Sequence, residues 1–228
     1  MTITIHEEML QGSESWFKIR CGMLTASEMK LIITPSKLEF ANNDKMRAHF
    51  YELMAQRITG YVEPSYVSED MVRGKDDEVE AVNIYRDEYA ETRIVGFVTN
   101  DKWGFTLGCS PDALVGDDGG IEAKGRRQKF QLETILKDEM PEEFMIQVQT
   151  SMLVTERPWW DFISFCGGLP MYTKRIYADE KVQTAIVAAA TMFEAKMIEA
   201  LEKYRNLAAS GEMRLIPTER RKETEIFL

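Results

Sequence analysis

The chain has 228 residues, enough for one domain with at most a small appendage. At that size it buries roughly 70% of its unfolded surface and needs no disulfide or metal staple. Apolar residues make up 44% and charged residues 29%, which excludes wholesale disorder. Lys and Arg number 28 against 38 Asp and Glu, a net charge of −10. That excludes a generally basic nucleic-acid coat but leaves room for a local basic groove.

In chain order, a short extended start gives way to helix. Thr25-Ala26-Ser27-Glu28 has the capping-box pattern and predicts a helix opening at Thr25. Met46, Phe50, Leu53, Met54 and Ile58 recur at helical spacing over 44–59, and Gly60 is the expected stop. A further helix is predicted over 75–90, with Val79, Val82, Tyr85 and Tyr89 on one stripe and Glu78 at its border. The period then switches. Strands are predicted at Ile94 to Val98, Trp103 to Leu107, Ala113 to Val115 and Ile121 to Lys124. Gly116-Asp117-Asp118-Gly119-Gly120 joins the last two as a hairpin turn. A helix over 143–154 carries Phe144, Val148 and Met152 on one face. Strands over 159–165 and 171–177 flank Gly167-Gly168-Leu169-Pro170. Val182, Ile186, Ala189, Phe193, Met197 and Leu201 mark a long final helix ending at Ser210-Gly211. We therefore expect one domain over 1–210 and a mobile or partner-docking tail over 211–228. The order of elements predicts an α/β fold, a central mixed sheet flanked by helices.

Cys21, Cys109 and Cys166 are too dispersed for a disulfide framework or zinc cluster, and His6 and His49 are the only histidines. A metal here needs oxygen ligands and hence a hard cation, Mg²⁺ or Mn²⁺. No apolar run approaches the ~18 residues of a membrane span. The start lacks a signal-peptide pattern, so a soluble cytoplasmic protein with no membrane partner is expected.

The chemistry concentrates in the central hairpin. Glu122 and Lys124 share a strand face by the two-residue period, and pairing places Asp112 beside Glu122. Two carboxylates and a lysine on one face are costly unless a cation offsets the acids. The lysine would then position or activate a water, or neutralise charge on a phosphate. The competing reading is a solvated strand edge. Residues 120–137 add five bases (Lys124, Arg126, Arg127, Lys129, Lys137) against two acids, suited to a phosphate backbone or simply to solubility. Residues 66–91 hold nine acids against three bases. Cys109 reads as a structural thiol, since no histidine base lies nearby. Trp103, Trp159 and Trp160 read as core rather than base-stacking platforms. Trp16 reads as packing, with a wedge against a duplex end as the alternative.

Five stretches occur together: Trp16 to Glu28 (WFKIRCGMLTASE), Gly74 to Glu78 (GKDDE), Gly108 to Val115 (GCSPDALV), Gly120 to Lys124 (GIEAK) and Gln147 to Met152 (QVQTSM). In this order they make the chain resemble the lambda exonuclease family, the YqaJ-type viral recombinases, over roughly residues 14–205. The resemblance implies the restriction-endonuclease-like PD-(D/E)xK nuclease fold. It implies that Asp112 and Glu122 bind metal, that Lys124 is catalytic, that Glu78 is a further metal-site acid and that Gln147 approaches the active site. It maps a 5′-phosphate site onto Arg20, Thr25 and Ser27, and leaves Arg126, Arg127, Lys129 and Trp16 as candidate DNA contacts. The family often has Gly where this chain has Ala113, and Cys-Pro where it has Gly125-Arg126, and neither change removes a catalytic atom. The implied activity is Mg²⁺-dependent (Mn²⁺ as substitute) 5′-to-3′ digestion of one strand of linear duplex DNA bearing a 5′ phosphate. The product would be 3′ overhangs for phage-type recombination. The implied assembly is a homotrimer working with a single-strand annealing protein, encoded by a phage or prophage in a bacterial host. The alternatives are a structure-specific or restriction-type endonuclease, and a non-catalytic DNA-end-binding recombination adaptor.

Overall fold

The computed structural model describes residues 2–64 and 68–220. The first element, β1 (Ile3–His6), leads into α1 (Glu14–Arg20), whose Ser13 cap accepts the Trp16 N–H. A two-residue strand, β2 (Leu24–Thr25), a 3-10 turn (Met29–Leu31) and a small hairpin, β3 (Ile33–Thr34) with β4 (Glu39–Phe40), follow. The helix predicted to open at Thr25 is therefore absent: Thr25 ends a strand. Its pairing with Gly108 in β7 (Leu107–Cys109) supplies backbone partners that a helix would otherwise have to provide.

Helix α2 (Asp44–Thr59) has the predicted bounds, capped by Asn43 and ended by Gly60 in the left-handed region. Helix α3 (Glu69–Glu88) starts earlier than expected, at a Ser68 cap. Its predicted stripe is half correct. Val82 and Tyr85 are buried, whereas Val79 and Tyr89 are exposed and Ala81 takes the inner position. The next strands are β5 (Thr92–Arg93) and β6 (Phe97–Asn100), then β7. The strand predicted over Trp103 to Leu107 is a loop until Leu107. Trp103 and Phe105 stack there, ring centroids 6.3 Å apart, and pack on the core from outside the ladder.

Two sheets result. One has the order β1-β6-β7-β2. The other has the order β11-β10-β9-β8-β5, built from β8 (Ala113–Val115), β9 (Gly119–Gly125), β10 (Trp159–Phe165) and β11 (Tyr172–Tyr177). Only Ser110-Pro111-Asp112 separates β7 from β8. The connection from β9 to β10 runs through α4 (Gln128–Lys137) and α5 (Met145–Thr155), which is why that pair alone in its sheet is parallel. The predicted hairpin is present, but Gly119 and Gly120 are strand residues. The rings of Trp159 and Trp160 lie where their Cβ atoms would project, 2.0 and 2.4 Å away.

Strand alternation sorts the core. Ile121 and Ala123, with Ile163 and Phe165 of β10, face Ala81, Val82 and Tyr85 of α3. Trp160 and Phe162 face the other way, into the larger core with α5 and α6 (Glu180–Ser210). Phe144, Val148 and Met152 are buried as predicted, and so are Val182, Ile186, Ala189, Phe193 and Met197 of α6. Gly211 ends α6 in the left-handed region, and residues 212–220 carry no helix or strand. The closing Ile226-Phe227-Leu228 lies outside the described residues. Among the described residues no helix is long and apolar enough to cross a membrane.

Candidate active site

The register Ala113↔Ile121 brings Asp112 opposite Glu122 across the hairpin, at the seam between the two sheets. The Asp112 N–H donates to Ile121 O, and the Ala123 N–H donates to Asp112 Oδ2 at 2.7 Å. The Asp112 carboxylate is thus held by the strand it faces. Glu122, only 2% exposed, projects from β9 on the face opposite Ile121 and Ala123. Its Oε1 accepts from Gln147 Nε2 of α5 and lies 2.5 Å from Lys124 Nζ. Its Oε2 is buried without a hydrogen-bond partner. From α3, Glu78 Oε1 approaches Lys124 Nζ to 3.7 Å. Asp112, Glu122, Lys124, Glu78 and Gln147 are therefore brought together by four segments.

The electrostatics follow from burial. Desolvation pushes the Asp112 carboxyl well above the usual carboxylate range; Glu122 and Glu78 add to this, while Lys124 and the Ala123 N–H oppose it. Desolvation also raises Glu78. Burial disfavours the charged form of Lys124, but Glu122, Asp112 and Glu78 more than reverse this and hold it protonated. Among the described residues no three His, Cys, Asp or Glu side chains converge as ready-made metal ligands. Here the Lys124 ammonium sits among the acids instead. The donor set nonetheless suits a hard divalent cation. It is all oxygen, and it holds an unpartnered buried oxygen on Glu122.

A second cluster lies nearby. Arg20, at the end of α1, rests over Trp16 at 4.2 Å and donates to Thr25 Oγ1 at 3.2 Å; Thr25 Oγ1 lies 3.3 Å from Ser27 Oγ. The sequence treated Glu28 only as a capping residue. It accepts from Thr25 Oγ1 at 2.8 Å and lies 3.9 Å from Arg20. Trp16 Nε1 donates to Ser110 Oγ, tying this cluster to the loop that carries Asp112. Ser110 was missed as a site neighbour, although its place two residues before Asp112 was a usable signal.

The downstream bases divide. Arg126 is held within the protein, paired with Glu143 at 2.9 Å and stacked on Phe130 and Phe144. Arg127 and Lys129 line an open groove of about 620 Å³ with Arg73 and Asp77, and Arg126 borders the same groove. Gln149 belongs to the scaffold, donating to Tyr177 O and accepting from the Asp179 N–H. Cys109 is buried, and desolvation raises its thiol far above the thiolate-forming range. Trp160 is fully buried, as expected of core.

The model of the YqaJ-like viral recombinase domain matches residues 15–158. An alkaline exonuclease, LHK-Exo from Laribacter hongkongensis, superposes with a TM-score of 0.78 at 30% identity, covering 87% of this chain and 99% of its own. Its complex with dAMP superposes equally, at 31% identity. A phage-related exonuclease from Haemophilus somnus 129PT shares the fold at a TM-score of 0.55 and 14% identity, covering 78% and 96%. No curated protein matches the chain.

Proposed function

The chain belongs to the YqaJ-like viral recombinase family, and from its site we propose a metal-dependent 5′-to-3′ exonuclease acting on linear duplex DNA. Its kinship with alkaline exonucleases supports a nuclease of the recombination type in general. The finer reading rests on one observation: Asp112 and Glu122 face each other across a hairpin with a buried, unpartnered carboxylate oxygen and a protonated lysine between acids.

Asp112, Glu122 and Glu78 would hold Mg²⁺, with Mn²⁺ as a substitute. The bound cation would supply Lewis-acid polarisation of the scissile phosphate and lower the pKa of the attacking water. The chain's own groups do the rest. Lys124 places a positive charge where negative charge develops. Gln147 fixes the Glu122 carboxylate through Oε1, leaving Oε2 without a hydrogen-bond partner. Arg20, Thr25 and Ser27 hold the 5′-terminal phosphate, with Glu28 setting the hydroxyl and guanidinium orientations. Trp16 ties that anchor to the loop that carries Asp112, so the anchor would set the cut position by its distance from the acids. A relative in complex with dAMP supports a 5′-mononucleotide product. Arg127 and Lys129 line a path for the DNA backbone. A homotrimer and a single-strand annealing partner, in a phage-type recombination setting, complete the proposal.

The test is time-resolved digestion of linear duplexes with one labelled end. Wild-type protein should degrade the 5′-phosphorylated strand in Mg²⁺ and stop on metal removal. Asp112→Ala and Lys124→Ala should remain folded but inactive. Cutting of closed circular DNA would instead identify an endonuclease, and metal-independent binding without turnover an adaptor.

A further inference from the structure

The turn Cys21-Gly22-Met23 joins Arg20, the last residue of α1, to β2, which ends at Thr25. It therefore sets how Arg20 and Thr25 of the phosphate cluster stand to each other. Gly22 sits in the left-handed region at φ +71°, and a Cβ there would lie 2.5 Å from Arg57 Cγ, so this close approach requires glycine. Both backbone groups of Gly22 are bound by adjacent residues in the last turn of α2. Its N–H donates to Gln56 Oε1 at 2.8 Å, and its carbonyl accepts from Arg57 Nε at 2.7 Å. The Cys21 thiol donates to the Gln56 carbonyl at 3.5 Å.

This clamp is itself anchored. Arg57 Nη1 and Nη2 donate to Glu194 Oε2 and Oε1 of α6 at 2.7 and 2.6 Å, a bidentate pair. Glu194 and Gln56 are buried. A buried ion pair is weak evidence for stability, because desolvation offsets much of its attraction. What this one fixes is direction: with the guanidinium fork locked on Glu194, Nε faces Gly22 O. Each Arg57 nitrogen thus donates within the protein, so Arg57 acts through the turn rather than on a phosphate.

We propose that Gln56 and Arg57, with Glu194 behind them, are positioning residues for the 5′-phosphate anchor, an inference that rests on the reading of Arg20, Thr25 and Ser27 as that anchor. Arg20 Nη2 stands 3.2 Å from Thr25 Oγ1, so guanidinium and hydroxyl converge before any phosphate arrives. A held turn preserves that convergence. A loose turn lets the two donors separate, and binding energy must then be spent to gather them. A misplacement of about 1 Å can cost roughly 100-fold in rate. The acids stand on other elements, Asp112 and Glu122 at the β8–β9 hairpin and Glu78 on α3. Release of the Gly22 turn therefore reaches the anchor before it reaches the acids, and its effect depends on the chemistry of the DNA end.

The test compares kcat/KM in Mg²⁺ on linear duplexes ending in a 5′ phosphate or a 5′ hydroxyl. Wild-type protein should favour the phosphorylated end. Gln56→Met removes the acceptor for the Gly22 N–H, and Gln56→Glu keeps one. Arg57→Met alone would leave Glu194 buried and unpaired, so the double variant Arg57→Met/Glu194→Met replaces the pair with apolar side chains. Gln56→Met and the double variant should lose roughly tenfold or more of the preference for phosphate, with the loss on the phosphorylated end, while Gln56→Glu retains most of it. The two lesions are independent, so either variant that folds, as judged by circular dichroism, decides the matter. A purely structural role lowers both rates together; a folded variant that keeps the wild-type ratio would overturn the positioning role and leave the exonuclease and its anchor standing. Equal wild-type rates on both ends would overturn the anchor and the positioning role with it. Failure to digest either end in Mg²⁺ or Mn²⁺ would overturn the exonuclease reading itself.

Discussion

Asp112 binds its proton more tightly in the folded chain than in the unfolded one, because burial and the neighbouring Glu122 and Glu78 outweigh Lys124 and the Ala123 N–H. The sign of the linkage follows. Metal-free stability is greatest at a pH where the carboxyl is protonated, and it falls as pH rises through the raised value. Glu78 acts in the same direction. The metal-free protein should therefore melt at a lower temperature at pH 8 than at pH 5, and a divalent cation should restore the loss at pH 8. Asp112→Asn keeps an oxygen for the Ala123 N–H but removes the charge. We expect it to be inactive and yet to melt higher than wild type at pH 8 without metal. Each ~1 kcal/mol gained appears as roughly 2–4 °C for a chain of this size. Calorimetry at the two pH values checks both outcomes, and a lower melting point for Asp112→Asn would contradict the electrostatic account. Gln147 works differently, through Glu122. Gln147→Leu removes a donor from a buried carboxylate that still keeps Lys124. It should cost about 1–3 kcal/mol in stability and at least tenfold in turnover. A Gln147→Leu enzyme with wild-type turnover would show that orienting Glu122 is unnecessary.

At the scale of elements, the hairpin was the most legible part of the chain. Its turn chemistry and two-residue period fix both the face shared by Glu122 and Lys124 and the register that brings up Asp112. What was not legible came from partners distant in sequence. Thr25 looked like a helix cap because its Glu28 contact is real, but Thr25 is the donor in that contact and β7 claims its backbone. Trp103 and Phe105 alternate like a strand but have no ladder to join. The early start of α3 was obscured by Gly74 in its second turn, a residue that helix propensity disfavours but packing on β9 tolerates. That packing is what delivers Glu78. A Cβ on Gly125 of β9 would lie 2.8 Å from Asp77 Cβ and 3.0 Å from Gly74 Cα. Gly125→Ala should thus push α3 off the strand beside the residue that precedes Glu78. The expected result is a folded protein with a several-fold higher Mg²⁺ requirement, read from initial rates against cation concentration. An unchanged requirement would remove Glu78 from the metal site.

Across the whole molecule, a net charge of −10 has to coexist with a polyanionic substrate. The sequence separates an acidic stretch at 66–91 from a basic one at 120–137, which by itself reads as an outer face and an inner one. The fold changes that division, because α3 packs directly on β9 and the two stretches meet. Arg73 and Asp77 of α3 line the same groove as Arg127 and Lys129, and Glu78 one residue on enters the acid cluster. The acidic helix is therefore one wall of the site. Its charges sort by face: Glu78 contributes to the acid cluster, Arg73 and Asp77 line the groove, and Glu69, Asp76, Glu80, Asp87 and Glu88 are exposed. DNA affinity should then depend on a few local cations rather than on total charge. Each phosphate contact contributes about −0.9 to the slope of log K against log salt on duplex DNA. Lys129→Glu in the groove and Lys203→Glu on the exposed α6 both subtract two charges, taking the net from −10 to −12. If the groove carries the backbone, Lys129→Glu weakens binding severalfold and flattens the slope by roughly 1–2, whereas Lys203→Glu leaves the slope unchanged. Anisotropy titrations of an end-labelled duplex in Ca²⁺ from 50 to 200 mM salt separate the cases. Equal losses in the two variants would mean that DNA senses the molecule's overall charge and that the groove is not its path.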